Sequence, residues 1–282
     1  MGPRRKVKKV RPSADMSPDL QGCGVLQAYG VTDKGRVRPT NEDCFAVDEG
    51  LRLCVVADGM GGHNAGEVAA RMAVDAAVEF IAGLHGCQPE HNAASWPFGF
   101  DPSLSRTGNL LRTAIHLANI QILETATSSD EYAGMGTTIV AAMVDAEKLS
   151  VAYVGDSRLY LVANNRIRQV TRDDSWMASV LVDDPRADLG TLLQHPMRNA
   201  LTNVVGAGPR TEVHVVEETL GGGELLVLST DGVHGVLDDD RLERLVLEGG
   251  NLRQMATSLV GAALARGSGD NCTAVVALYL PD

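Results

Sequence analysis

Four aspartates constrain this chain more than any other feature. Asp58 and Asp231 each precede a glycine, Asp156 and Asp270 each follow one, and all four adjoin an apolar run that reads as a buried strand. A carboxylate at the end of a buried strand is held in place and stripped of water, which is costly unless a counter-charge offsets it. Independent surface acids have no reason to recur in that setting four times. Carboxylates gathered at strand ends offer hard oxygen ligands to a divalent cation, Mg²⁺ or Mn²⁺. Without a cation, their mutual repulsion opposes folding. The first of them sits in Val55-Val56-Ala57-Asp58-Gly59-Met60-Gly61-Gly62-His63. The glycines there let backbone approach a ligand closely, and a helical pattern starts at Ala65.

Around these acids the chain alternates between strand and helix signals. Short apolar or β-branched runs predict strands over 23–31, 44–47, 53–57, 137–144, 148–154, 158–163, 166–170, 224–229 and 272–280. Asn164-Asn165 marks a hairpin between two of them. Helical periodicity predicts helices over 65–82, 103–127, 239–248 and 251–266. In the first, Val68, Met72, Ala76 and Phe80 form the expected core stripe, while Glu67, Arg71, Asp75 and Glu79 form a solvated face. In the second, Leu104, Leu111, Ile115, Ala118 and Ile122 lie on the apolar side. Residues 83–102 are broken by glycine and proline and read as a loop insertion. His85, Cys87 and His91 within it lack a fourth ligand at zinc-site spacing. Residues 171–208 are mixed in character.

Composition narrows the function classes. The net charge is −11, yet residues 1–20 are basic and aperiodic, a disordered tail, so the rest is more acidic still. An acidic body argues against nucleic acid as the main partner. Five scattered cysteines suit reduced thiols in the cytoplasm. There is no secretory leader and no run of about 18 apolar residues to span a membrane. No cysteine opens a Cys-x5-Arg loop, which removes thiolate phosphatase chemistry, and no P-loop motif supports a nucleotide kinase or NTPase.

Seven short motifs occur in an order that resembles bacterial metal-dependent protein phosphatases of the 2C (PPM) family. They are Arg38…Asn41-Glu42-Asp43, Asp58-Gly59-Met60-Gly61-Gly62, Gly136-Thr137-Thr138, Gly155-Asp156-Ser157-Arg158, His195-Pro196…Arg198-Asn199, Ser229-Thr230-Asp231-Gly232 and Asp270-Asn271-Cys272-Thr273. Each alone is weak, but seven in order are specific. The resemblance implies an α+β fold, a four-layer αββα sandwich of two antiparallel sheets flanked by helices, spanning residues 21–282, with 171–208 as a flap.

The resemblance also implies a site. Asp58 would bridge two core metal ions and Gly59 would lend its carbonyl. Asp231 and Asp270 would complete the other ion's ligands. Glu42 and Asp43 would contribute directly or through water, and Asp156 would help hold a third, weaker ion. Arg38 matches the phosphate-binding arginine. Eukaryotic members carry a histidine where Met60 stands, so His63, three residues on, is a candidate proton relay, with capping or packing as the alternative. The flap lacks the usual acidic cluster before His195-Pro196, Asp188 being displaced from it, and His195 and Arg198 read as structural.

The implied activity is hydrolysis of phosphoserine and phosphothreonine in proteins by a water activated between two metals. The implied setting is a monomeric cytoplasmic enzyme opposing a Ser/Thr kinase in bacterial signalling. The alternatives are a pseudo-phosphatase that binds phosphoproteins without turnover, and a hydrolase of phosphorylated small molecules. Retention of Arg38, Asp58, Asp231 and Asp270 argues against the former.

Overall fold

In the computed structural model, which describes residues 24–62, 65–84 and 96–281, the apolar runs pair into two antiparallel sheets. The strands are β1 (Val25–Asp33), β2 (Asp43–Asp48), β3 (Leu53–Met60), β4 (Gly136–Thr137), β5 (Ile139–Asp145), β6 (Lys148–Val154), β7 (Arg158–Ala163), β8 (Arg166–Gln169), β9 (His214–Thr219), β10 (Leu225–Ser229) and β11 (Cys272–Leu280). One sheet has the order β1-β11-β10-β7-β8. The other has the order β2-β3-β5-β6-β9, with β4 paired to the end of β3. The helices are α1 (Ala65–Gly83), α2 (Arg106–Ser128), α3 (Trp176–Asp183), α4 (Leu189–Gln194), α5 (Asp231–His234), α6 (Asp239–Leu247) and α7 (Leu252–Ala265).

Alternation along the strands builds the layers. Leu53, Val55 and Ala57 of β3 point towards α1 and α2, while Cys54 and Val56 point into the space between the sheets. In β11, Val275, Ala277 and Tyr279 face the other sheet, and Cys272, Ala274 and Val276 pack under α6 and α7. Both faces of the central strands are therefore covered, which is why they read as continuous apolar runs rather than alternating ones. The result is the expected αββα sandwich, with three apolar layers between four structural ones.

Several local features follow the sequence closely. Asn164 and Asn165 both take positive φ, 52° and 58°, and close the β7–β8 hairpin as a primed turn whose twist suits antiparallel strands. The second helix begins at Arg106, capped by Ser105, whose side chain accepts from the Gly108 N–H at 3.1 Å. Leu111, Ile115, Ala118 and Ile122 are buried as expected, whereas Leu104 precedes the helix and is only partly covered.

The first helix departs from expectation. Its buried face is Ala69, Ala70, Ala73, Ala76 and Ala77 with Val74 and Ile81, and Val68, Met72 and Phe80 lie at the margin. Large apolar residues suggest the stripe in sequence, but small ones let this helix lie close to β3 beside the strand-end acids.

Four elements went unpredicted, one of them α5, the short helix that opens with Asp231. β9 is an edge strand whose Val215 and Val216 face opposite layers between charged neighbours, so it shows no alternation. α3 and α4 are short helices within 171–208. The basic tail lies outside the described residues, as do His63 and positions 85–95 of the insertion with His85, Cys87 and His91. The described end of that insertion is tied down: Trp96 is buried against Phe100, and Arg112 donates to the carbonyls of Phe98 and Gly99.

Candidate metal centre

Antiparallel pairing brings the acids together by placing distant strand ends at one edge of both sheets. Asp43 opens β2 and stands opposite Asp58, near the end of β3, in the register of that pair. In the other sheet, Ser229 at the end of β10 is flanked by Arg158, which opens β7, and Ala274 of β11. Asp231, at the start of α5, follows β10. Asp270 precedes β11, and Asp156 lies in the turn from β6 to β7.

Burial and mutual repulsion dominate the electrostatics. Asp43 is buried, and its Oδ2 accepts from the hydroxyls of Thr230 at 2.9 Å and Thr273 at 2.6 Å. Its Oδ1 is buried without a hydrogen-bond partner. Loss of solvent outweighs both hydroxyl bonds and lifts this carboxyl to about 7. Burial also raises Asp58 well above the carboxylate range, with further contributions from Asp43, Asp231, Asp156 and Asp270. Asp231 is raised by burial and then by Asp270; its carboxyl lies within hydrogen-bonding reach of Asp58, and its Oδ1 is another buried oxygen without a partner. Burial, then Asp231 and Asp173, lift Asp156 to about 7 against the opposing pull of Arg158.

Close backbone packing fixes the surrounding loops. The Gly59 N–H donates to the Glu42 carbonyl at 3.2 Å. A Cβ on Gly59 would sit 2.0 Å from the Gly66 carbonyl oxygen and 2.8 Å from that of Glu42, so only glycine fits. The Glu42 carboxylate lies beside Gly66, and burial raises its pKa. Asn271 binds the two loops together. Its side chain accepts from the Glu42 N–H at 2.8 Å and donates to the carbonyls of Lys34 and Thr40 at 2.8 and 2.9 Å. Arg38 is half exposed, and its Nη2 donates to Asp270 Oδ2 at 2.7 Å.

Among the described residues, no three acidic, histidine or cysteine side chains stand at ion-binding distance around one point. The acids approach pairwise instead, Asp58 with Asp231 and Asp43 opposite Asp58. Their chemistry nevertheless fits a hard divalent cation. Two carboxylate oxygens are buried without partners, every donor is oxygen, and the groups raise one another's pKa.

The structure thus brings Glu42, Asp43, Asp58, Gly59, Asp156, Asp231, Asp270 and Arg38 to one edge. Asp188 has a local task instead: it caps α4, accepting from the N–H and hydroxyl of Thr191 at 2.9 and 2.6 Å. His195 stacks on Trp176 with ring centroids 4.2 Å apart. Residues that sequence reasoning left without a role include Thr138, whose hydroxyl accepts from the Asp58 N–H at 3.0 Å, and His234 beneath the acids. Thr138 lies in the Gly136-Thr137-Thr138 motif, but its partner is 80 residues away; His234 and Ser229 are 5 residues apart, in a side-chain pairing that no motif records.

Comparison with known proteins agrees with this fold. The serine/threonine phosphatase stp of Listeria welshimeri is 32% identical over 252 residues, covering 87% of this chain and 92% of that protein. The crystal structure of the Mycobacterium tuberculosis serine/threonine phosphatase PstP/Ppp matches with a TM-score of 0.77 at 28% identity, covering 92% of this chain and all of the other (100%). The catalytic domain of PstP in complex with two manganese ions matches with a TM-score of 0.73 at 28% identity, covering 91% and 99%. The family model described as protein phosphatase 2C spans residues 36–260. With fold and sequence in agreement over most of its length, the chain belongs to the protein phosphatase 2C family.

Proposed function

We propose that this chain hydrolyses phosphoserine and phosphothreonine in proteins with the help of two divalent cations held by the strand-end acids. The observation that carries this reading is the set of buried, mutually repelling carboxylates at one edge of the sandwich, two with unpartnered buried oxygens. Asp58 would stand between the two ions with the Gly59 carbonyl beside it, and Asp231 and Asp270 would complete the second. Glu42 and Asp43 would contribute directly or through water, and Asp156 would serve a third. When bound, Mn²⁺ or Mg²⁺ supplies Lewis acidity to a water and to the phosphoryl oxygens. The relative solved with two manganese ions supports Mn²⁺.

The remaining roles belong to protein groups. Thr230 and Thr273 hold one oxygen of Asp43 and leave the other unbonded, so the carboxyl is oriented before any ion arrives. Arg38 lies at the rim, where its planar fork can bind two phosphoryl oxygens once it exchanges Asp270 for substrate. His63 would carry a proton to the departing serine or threonine oxygen. The substrates are phosphorylated proteins, opposite a Ser/Thr kinase, and the expected state is a monomer on gel filtration. A cytoplasmic setting suits the buried unpaired thiols of Cys44, Cys54 and Cys272. Among the described residues, no helix is long and apolar enough to cross a membrane.

Phosphate release from a phosphothreonine peptide, measured with and without Mn²⁺, tests the reading. EDTA and Asp231→Asn should each abolish turnover. Activity that survives both overturns the metal mechanism. Stoichiometric peptide binding without phosphate release would show the non-catalytic alternative instead.

A further inference from the structure

The loop between β1 and β2 carries Lys34, Arg36 and Arg38 at alternate positions, in a chain whose net charge is −11. Its crest rests at both ends on one residue of the site. Gly35, at φ 77°, lies so close to Asp270 that a Cβ on it would sit 2.3 Å from the Asp270 carbonyl oxygen. Farther along, Arg38 reaches the Asp270 carboxylate at 2.7 Å. Asn271 pins the loop outside these two contacts, donating to the carbonyls of Lys34 and Thr40 at 2.8 and 2.9 Å. Arg36 and Val37 therefore stand at the crest of a turn seated on Asp270, and the chain bends at both.

The crest faces solvent. Val37, at 72%, is the most exposed large apolar side chain among the described residues, and Lys34 and Arg36 are exposed beside it. Among the described residues neither of these two cations makes an ion pair, whereas Arg38, Arg158, Arg166 and Arg168 each do. Asp33, the nearest acid in sequence, accepts from the Gly35 N–H at 2.9 Å. Because the loop is pinned at its base, little backbone freedom is left to lose when Arg36 captures a partner. The α-carbons of Arg36 and Arg38 are at most about 7 Å apart, a span of about two residues of extended peptide. With a phosphoryl group on Arg38, Arg36 stands level with a side chain a few positions away. A carboxylate there meets the planar guanidinium fork, and a lysine there meets like charge.

We propose that Arg36, assisted by Lys34, is a specificity-determining residue that reads an aspartate or glutamate a few positions from the phosphoresidue, so that phosphopeptides with acidic flanks are the preferred substrates. The inference deepens the phosphoprotein reading above and rests on it.

The test measures kcat and KM for phosphate release by the full chain with Mn²⁺, on phosphothreonine peptides identical but for aspartate, alanine or lysine flanks. Wild type, Arg36→Ala, Arg36→Glu and Lys34→Ala are compared, with an aryl phosphate as the substrate that has no flanks. Wild type should favour aspartate over lysine flanks in kcat/KM by about fivefold or more, chiefly through KM. Arg36→Ala should reduce that ratio by about two- to fivefold, the range of a solvent-exposed ion pair, and Lys34→Ala by less. Arg36→Glu, which turns attraction into repulsion, should reduce it further, and added salt should shrink it in wild type. A wild-type ratio of one or less overturns the inference, and so does a ratio that Arg36→Glu leaves unchanged. Both outcomes leave phosphopeptide hydrolysis standing. Hydrolysis of the aryl phosphate with release from no phosphopeptide removes the phosphoprotein reading, and the inference with it.

Discussion

Asp43 and Asp156 are acids whose surroundings work against their charge. Each is lifted from an ordinary value near 3.8 to about 7, mainly by burial. Between those values the folded chain keeps protons that the unfolded chain has released, so ν_N exceeds ν_U and stability falls as pH rises. In EDTA, the melting temperature should therefore decline from pH 5 to pH 8, and Asp156→Asn should flatten the decline. Cations compete with the same protons, so Mn²⁺ affinity should tighten over that interval. A melting temperature in EDTA that rises from pH 5 to 8, equally in wild type and Asp156→Asn, would show that burial of these acids is not felt. Gly59 poses a steric demand at the same scale. Gly59→Ala places a methyl 2.0 Å from the Gly66 carbonyl oxygen. It should cost about 2 kcal/mol or more by urea denaturation, whatever the metal content.

Among the elements, helices were more legible than the segments that link them. α7 starts with a reciprocal capping box, Asn251 and Gln254 each bonding the other's backbone N–H at 2.9 Å. Asn251→Ala should lower stability by about 1 kcal/mol in chemical denaturation, without altering Mn²⁺ binding. α1 was predicted within a residue of its ends, but its buried side was displaced from the row of large side chains to the alanines. Ala73→Leu on that buried face should overpack the contact with the sheet and destabilise by about 1–3 kcal/mol, which a shift of the urea midpoint would report. The hairpin at Asn164-Asn165 was readable because its turn chemistry is local. β9, α3 and α4 were not, since their register comes from partners such as β6 and the Ser175–Leu201 bridge.

For the whole molecule, the site couples folding to ion binding. The acids come from β2, β3, the β6–β7 turn, α5 and the approach to β11, so unfolding disperses them. Adding Mn²⁺ to the EDTA-treated chain should raise its melting temperature in a concentration-dependent way, by about 2.7 kcal/mol of stability at a hundredfold excess over Kd. A melting curve indifferent to Mn²⁺ would place the ions elsewhere.

The sequence by itself determined which groups were available: oxygen-bearing acids beside glycine at strand ends, the apolar runs behind them, and the motif order that marks the family. Those are local properties, carried by neighbours within a few residues. Only the tertiary structure decided which oxygens are left unbonded, that Arg38 rests on Asp270, and that Asn271 and Thr138 hold the acid-bearing loops. These depend on pairings across up to 237 residues of chain, as between Asn271 and Lys34. Strand register and burial set them, and no local pattern records either.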